Sequence, residues 1–164
     1  MLIAINYHYV RPVFNDPFPG IHGVTPDELE NQLRLLGSVG EFVSPMQIRD
    51  AVRGQSALPE RALAVTFDDG LREQFEWALP VLDRLGVPAM FFVNPGPIAR
   101  CAVSTVHKIH LLSAQVSPGR LWAMLQAEAK RLRVHIRSDG RGRAARLQYP
   151  YDTPESAELK YLMN

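Results

Sequence analysis

Asp68 and Asp69 are adjacent carboxylates that follow the apolar run Ala62-Leu63-Ala64-Val65-Thr66-Phe67 and precede Gly70. A short apolar run bounded by turn residues reads as a buried strand. The two acids then fall where a parallel sheet exposes its carboxyl edge, the place where α/β folds put their chemistry. Side by side in a partly buried cleft, two carboxylates cannot both ionise cheaply without a compensating cation. That suits a divalent metal held by one acid while the other acts as a base. The plainer reading is turn chemistry, because Asp-Gly after a strand is a common loop.

Histidines are the other candidates. His8 ends a first apolar run near the same sheet edge and is read as a residue lining a substrate site, with a hydrogen-bonded core histidine as the alternative. His107 and His110 stand three apart, a spacing that puts both imidazoles on one helix face. The surrounding Val106 to Leu112 fits an ordinary amphipathic helix equally well. His22 and His135 have no partners in the sequence pattern, and Cys101 reads as an inert small residue.

The elements that must position these groups alternate. Leu2–Tyr7, Ala62–Phe67 and Ala89–Val93 read as strands, with Phe42-Val43 as a short one. Thr25-Pro26-Asp27-Glu28 is a capping box that starts a helix with Leu29, Leu33 and Leu36 on one face, ending near Gly37 or Gly40. Ser44-Pro45-Met46-Gln47 repeats the signal, with Gly54 as a stop. After Gly70 a third helix carries Phe75, Ala78, Leu79, Leu82 and Leu85 as its buried stripe. Pro80 inside it predicts a kink or a fresh first turn. Such alternation predicts parallel βα units. From Ser104 to Leu132 the pattern is helical, with Leu121, Leu125 and Leu132 as core contacts, and Thr153-Pro154-Glu155 starts one more helix. The expected division is residues 1–100, the βα part, and 101–164, a basic helical segment read as an insertion or a truncated remainder.

Thr66-Phe67-Asp68-Asp69-Gly70 resembles the first motif of the polysaccharide deacetylases, the NodB-homology group of carbohydrate esterases. Asn6-Tyr7-His8-Tyr9-Val10 is similar to the end of that family's first strand. Ala78-Leu79-Pro80-Val81-Leu82 and Gly86 to Val93 resemble the helix and strand that follow the motif. The resemblance covers roughly residues 2–95 and implies an α/β fold, part of a distorted (β/α) barrel with mostly parallel strands, followed here by a helical segment. It implies a hydrolase that removes N-acetyl groups from a sugar or polysaccharide, with a divalent metal, expected to be zinc, as cofactor. Carried over by position, Asp68 is the catalytic base and Asp69 a metal ligand. The family's His-x-x-x-His, Arg-x-Pro-Tyr and Leu-x-His motifs have no clear counterpart. The Arg of Arg146 to Tyr151 stands four residues before its proline instead of two, and a late general-acid histidine is lacking. The alternative is therefore a truncated, non-catalytic fragment or homologue that folds or assembles with another chain. A homo-oligomer covering an open sheet edge is the form this would take. Taken alone, the 164 residues are expected to be a poor deacetylase.

Composition bounds these readings. With 46% hydrophobic and 21% charged residues, the chain can build a core and is neither disordered nor a disulfide scaffold. Its net charge of +1 gives no global field for nucleic acid or membrane. The charge is uneven: residues 1–100 hold 8 Arg against 12 acids, and residues 101–164 hold 10 basic residues against 5 acids. The basic stretch from Lys130 to Arg146 lacks aromatic side chains for base stacking and reads as a solvated helix end. The apolar N-terminus is too short to span a bilayer and has no basic residue before it, so a cytoplasmic location is expected.

Overall fold

Strand β3 (Ala62–Phe67) lies between three partners, all parallel to it. Strand β1 (Leu2–Tyr7) pairs along its full length, Leu2 opposite Ala62 through Tyr7 opposite Phe67. The other edge is shared by β2 (Glu41–Phe42), beside Ala62 and Leu63, and β4 (Ala89–Phe91), beside Val65 to Phe67. The computed structural model describes residues 1–14, 21–136 and Leu159. They fall into two compact units, residues 1–16 with 22–102, and residues 17–21 with 103–164.

All six residues of β3 are buried, which is why it reads as an unbroken apolar run. β1 is a similarly apolar run, but its Leu2 and Ile3 are more than 40% exposed. Among the described residues β1 pairs with β3 alone, so it is an edge strand. β4 ends at Phe91, two residues short of the expected Val93.

Helices α1 (Pro26–Gly37) and α2 (Pro45–Val52) begin as the sequence dictates. Thr25 and Ser44 each accept from the backbone N–H three residues on, and Glu28 and Gln47 reach back to the cap N–H, closing both capping boxes. Leu29 and Leu33 are buried against Tyr7, Val10, Val65, Phe67, Ala78, Val81 and Leu82, the core of this unit. Beyond Gly70 the chain forms a π-helical turn, Gln74–Ala78, and then α3 (Leu79–Leu85), with Pro80 in its first turn. The extra residue of the π turn rotates the buried stripe. Gln74 goes inside and Phe75, expected inside, is 72% exposed.

The second unit holds α5 (Thr105–Gln115) and α6 (Pro118–Leu132); the short α4 (Pro95–Ala99) precedes it. Leu121 is buried as expected, whereas Leu132 is 58% exposed at the helix end. Lys130 and Arg131 lie in the last turn of α6, where basic side chains complement the helix dipole, and Arg131 pairs with Glu128 at 2.6 Å. The Arg146–Tyr151 stretch and the helix expected from Thr153 lie outside the described residues, apart from Leu159. No described helix is long and apolar enough to cross a membrane.

Two stability predictions follow from this packing. Phe67 is fully buried between the rings of Tyr7 and Phe91, at centroid distances of 5.5 and 4.9 Å. Phe67→Ala should cost about 3–5 kcal/mol in denaturant unfolding. Glu28 and Glu30 sit below the ordinary value of 4.5, Glu28 through its bonds to Thr25 and Glu30 through Arg84 and Arg34. Carboxylates lowered on folding stabilise the protein above that value, and the contribution disappears as pH falls through the folded pKa. Urea unfolding should therefore weaken in acid, and Glu30→Gln should flatten the drop.

Candidate functional site

Phe67 is the last residue of β3, and the chain leaves it by a sharp turn. Asp68 still extends the β1 ladder, its N–H donating to the Tyr7 carbonyl at 3.2 Å. Asp69 and Gly70 then take left-handed conformations, φ 75° and 65°. Asp tolerates that region better than most residues, and Gly at no cost. At Gly70 a Cβ would also come within 2.9 Å of the Val93 side chain. The turn leaves both carboxylates within about 4 Å of the same imidazole nitrogen, that of His8, at 3.9 and 4.0 Å.

Asp68 faces Asn6 on the neighbouring strand. The Asn6 side-chain amide donates to Asp68 Oδ2 at 2.9 Å, and its oxygen accepts from the Thr66 hydroxyl at 3.0 Å. This relay fixes which end of the Asn6 amide meets the acid. His8 lies across from both acids, its Nε2 3.9 Å from Asp68 Oδ2 and 4.0 Å from Asp69 Oδ2. The structure thus brings together the three residues singled out from sequence. They are less buried than their adjacency suggested: the Asp68 and Asp69 side chains are 39% and 29% exposed. Water solvates both, so adjacency alone does not compel a cation.

Next to them lies a pocket of about 400 Å³ lined by Asn6, Tyr7, His8, Tyr9, His22, Gly23 and Val24. Tyr7 is committed elsewhere, donating to Gln32 on α1 at 3.0 Å. The Tyr9 phenol is pushed up to about 12 by burial, then by the negative charges of Asp69 and Glu73, with Arg11 opposing. It stays protonated, so its hydroxyl can donate a hydrogen bond as well as accept one. Arg11 stacks over Tyr9 at 5.1 Å and pairs with Glu73 at 2.5 Å, and Glu73 also accepts from the Val10 N–H at 3.0 Å.

Sequence reasoning missed Asn6, Tyr9, Glu73 and Gln74. Gln74 is 1% exposed, and its amide nitrogen donates to the carbonyls of His8 at 2.8 Å and Asp68 at 2.6 Å. The available signal was a glutamine where the helical stripe wanted an apolar residue.

The described residues do not form a metal centre by themselves. No group of three His, Cys, Asp or Glu side chains among them is placed to hold an ion. His107 and His110 meet edge to face on α5, ring centroids 6.0 Å apart, in the second unit. What the first unit offers is a positioned carboxylate, a second acid and an imidazole beside an open pocket. That set can take up a proton from water and bind a polar ligand.

Residues 55–135 match the family model for polysaccharide deacetylases. The chain is 34% identical over 90 residues to the poly-beta-1,6-N-acetyl-D-glucosamine N-deacetylase of Escherichia coli K12, covering 54% of this chain and 13% of that protein. The solved IcaB from Ammonifex degensii is 34% identical with a TM-score of 0.51, covering 58% of this chain and 39% of that one. The deacetylase PplD of Streptococcus pyogenes, solved in complex with acetate, is similar in fold at 17% identity and a TM-score of 0.50. That match covers 71% of this chain and 60% of the other. The chain therefore spans well under half the length of its relatives at 34% identity.

The turn geometry makes a prediction that separates backbone from chemistry. Gly70→Ala should destabilise by about 1–2 kcal/mol, from the left-handed backbone alone, and more if Val93 cannot shift. Asp69→Gly relieves the positive φ and should cost less stability in thermal unfolding than Asp69→Ala, which removes the same carboxylate but keeps the strained backbone.

Proposed function

We propose, from the match of residues 55–135 to the polysaccharide deacetylase family model and the 34% identity to an N-deacetylase, that this chain hydrolyses the N-acetyl amide of a sugar or polysaccharide. The observation that carries this reading is the Asp68 carboxylate at the end of β3, oriented by Asn6 and 3.9 Å from His8 at the rim of a pocket. Asn6 holds one oxygen of Asp68, and the other takes a proton from water as the water oxygen attacks the acetamide carbonyl. Asp68 then carries the proton that the departing amine needs when the C–N bond breaks, giving acetate and a free amino sugar. General acid–base help of this kind is worth on the order of 10²–10⁴ in rate. His8 lines the pocket and contacts the substrate.

Asp69 is proposed as one carboxylate ligand of a divalent metal, with zinc the expected ion. The other ligands lie outside the three-residue cluster at this turn. When bound, such an ion supplies Lewis-acid polarisation of the carbonyl. The observation that favours a non-catalytic alternative is the exposed β1, with Leu2 and Ile3 more than 40% open along a strand paired on one side among the described residues. There a second chain, such as another copy, would cover the edge.

Acetate release from N-acetylglucosamine oligomers, with zinc, cobalt or nickel added, tests the hydrolase reading. Release abolished in Asp68→Asn supports it. Equal release by wild type and Asp68→Asn, or none from either together with a stable dimer in light scattering, favours the alternative. Zinc titration by calorimetry should show weaker binding in Asp69→Asn than in wild type; equal affinity would remove Asp69 as a ligand.

A further inference from the structure

We infer that Gln74 is a positioning residue for the Asp68 base, acting through the backbone on both walls of the site. This rests on the hydrolase reading for its catalytic consequence, though the clamp is visible without it. The Gln74 amide nitrogen spends both of its hydrogens on carbonyls, one on His8 at 2.8 Å and one on Asp68 at 2.6 Å. Two acceptors fix the amide's orientation, since only the NH₂ end can serve them.

Each carbonyl belongs to a peptide plane that matters. The Asp68 carbonyl lies in the plane joining the two acids, immediately before the left-handed Asp69. Holding that plane sets the directions of both carboxylates. The His8 carbonyl lies in the plane joining His8 to Tyr9, two residues that line the pocket. One side chain therefore ties together the carboxyl ends of β1 and β3 just beyond their last ladder pair, Tyr7 opposite Phe67.

The position carries a cost that an apolar residue would avoid. Gln74 is 1% exposed, and its Oε1 is buried with no hydrogen-bond partner. A methionine of similar volume would fill the same space without leaving an acceptor unsatisfied. Filling the core thus gives no account of a glutamine here, whereas two carbonyls needing a double donor do. The π-helical turn that begins at Gln74 is what turns this residue inward in place of Phe75.

The test compares wild type with Gln74→Met, which keeps volume and loses both donors, and Gln74→Glu, which keeps shape and presents an acceptor. The spectroscopic readout is the Asn6 side-chain amide proton, shifted by its bond to the Asp68 carboxylate, with Asp68→Asn as the reference for its loss. Both Gln74 variants should move it toward the Asp68→Asn position, and kcat for acetate release should fall by ~10²-fold with KM changed far less, as for a misplaced catalytic group. Gln74→Met that folds and keeps both the Asn6 signal and kcat overturns the inference. If neither variant folds, wild-type protein decides. Scalar couplings from the Gln74 side-chain nitrogen to the His8 and Asp68 carbonyl carbons are expected, and their absence overturns it. If wild type shows no Asp68-dependent release, the hydrolase reading fails while the couplings and the Asn6 signal still decide the clamp.

Discussion

Strand β3 gives up both edges and both faces: β1 takes one edge, β2 and β4 divide the other, and all six of its residues are buried. The first unit is organised around that burial. At its carboxyl end Phe67 stacks between Tyr7 and Phe91, so the last residues of three strands form one aromatic layer. Aromatic pairs in such offset arrangements add roughly 0.5–1.5 kcal/mol beyond the area they bury. The layer is the floor on which the turn at Asp68 and Asp69 stands, and the Asp68 N–H bond to Tyr7 carries the ladder one step beyond it.

A buried strand ending in two acids creates a local problem that the following residues solve. The chain must reverse direction without dragging either carboxylate into the core. Asp69 and Gly70 do this by adopting left-handed backbone in succession, leaving both acids partly solvated. Such strain persists only where the surroundings over-determine it. Here the Asp68 N–H is bonded to Tyr7, its carbonyl to Gln74 and its carboxylate to Asn6.

Much of this was legible from residue patterns. Both capping boxes, the paired strands and the placement of Asp68, Asp69 and His8 on one edge follow from short-range rules of periodicity and cap chemistry. What escaped those rules depended on partners far along the chain. Phe75 and Gln74 exchanged roles because a π turn breaks the 3.6-residue period, which a stripe assumes throughout. Asn6 is an ordinary polar residue in an edge strand until Asp68, 62 positions away, supplies its acceptor. β1 looked like β3 in composition, and only pairing on one side separates them. Barrel closure lies in the same class, since four parallel strands satisfy the local pattern whether or not a sheet closes.

Glu73 and Gln74 are neighbours on the helical side of the turn, and both reach back to the segment after β1. Glu73 accepts from the Val10 N–H and pairs with Arg11, while Gln74 holds the His8 carbonyl. The stretch from Thr66 to Gln74 thus supplies the acids, relieves its own backbone and anchors the opposite wall of the pocket. Arg11 and Glu73 are 26% and 18% exposed, so their pair is only partly screened by water. Removing either charge would leave the other poorly solvated and loosen Tyr9, over which Arg11 stacks. The two walls are consequently coupled through the Arg11–Glu73 pair and the Gln74 amide. A site built this way keeps its geometry only while the segment that provides the chemistry also provides the bracing.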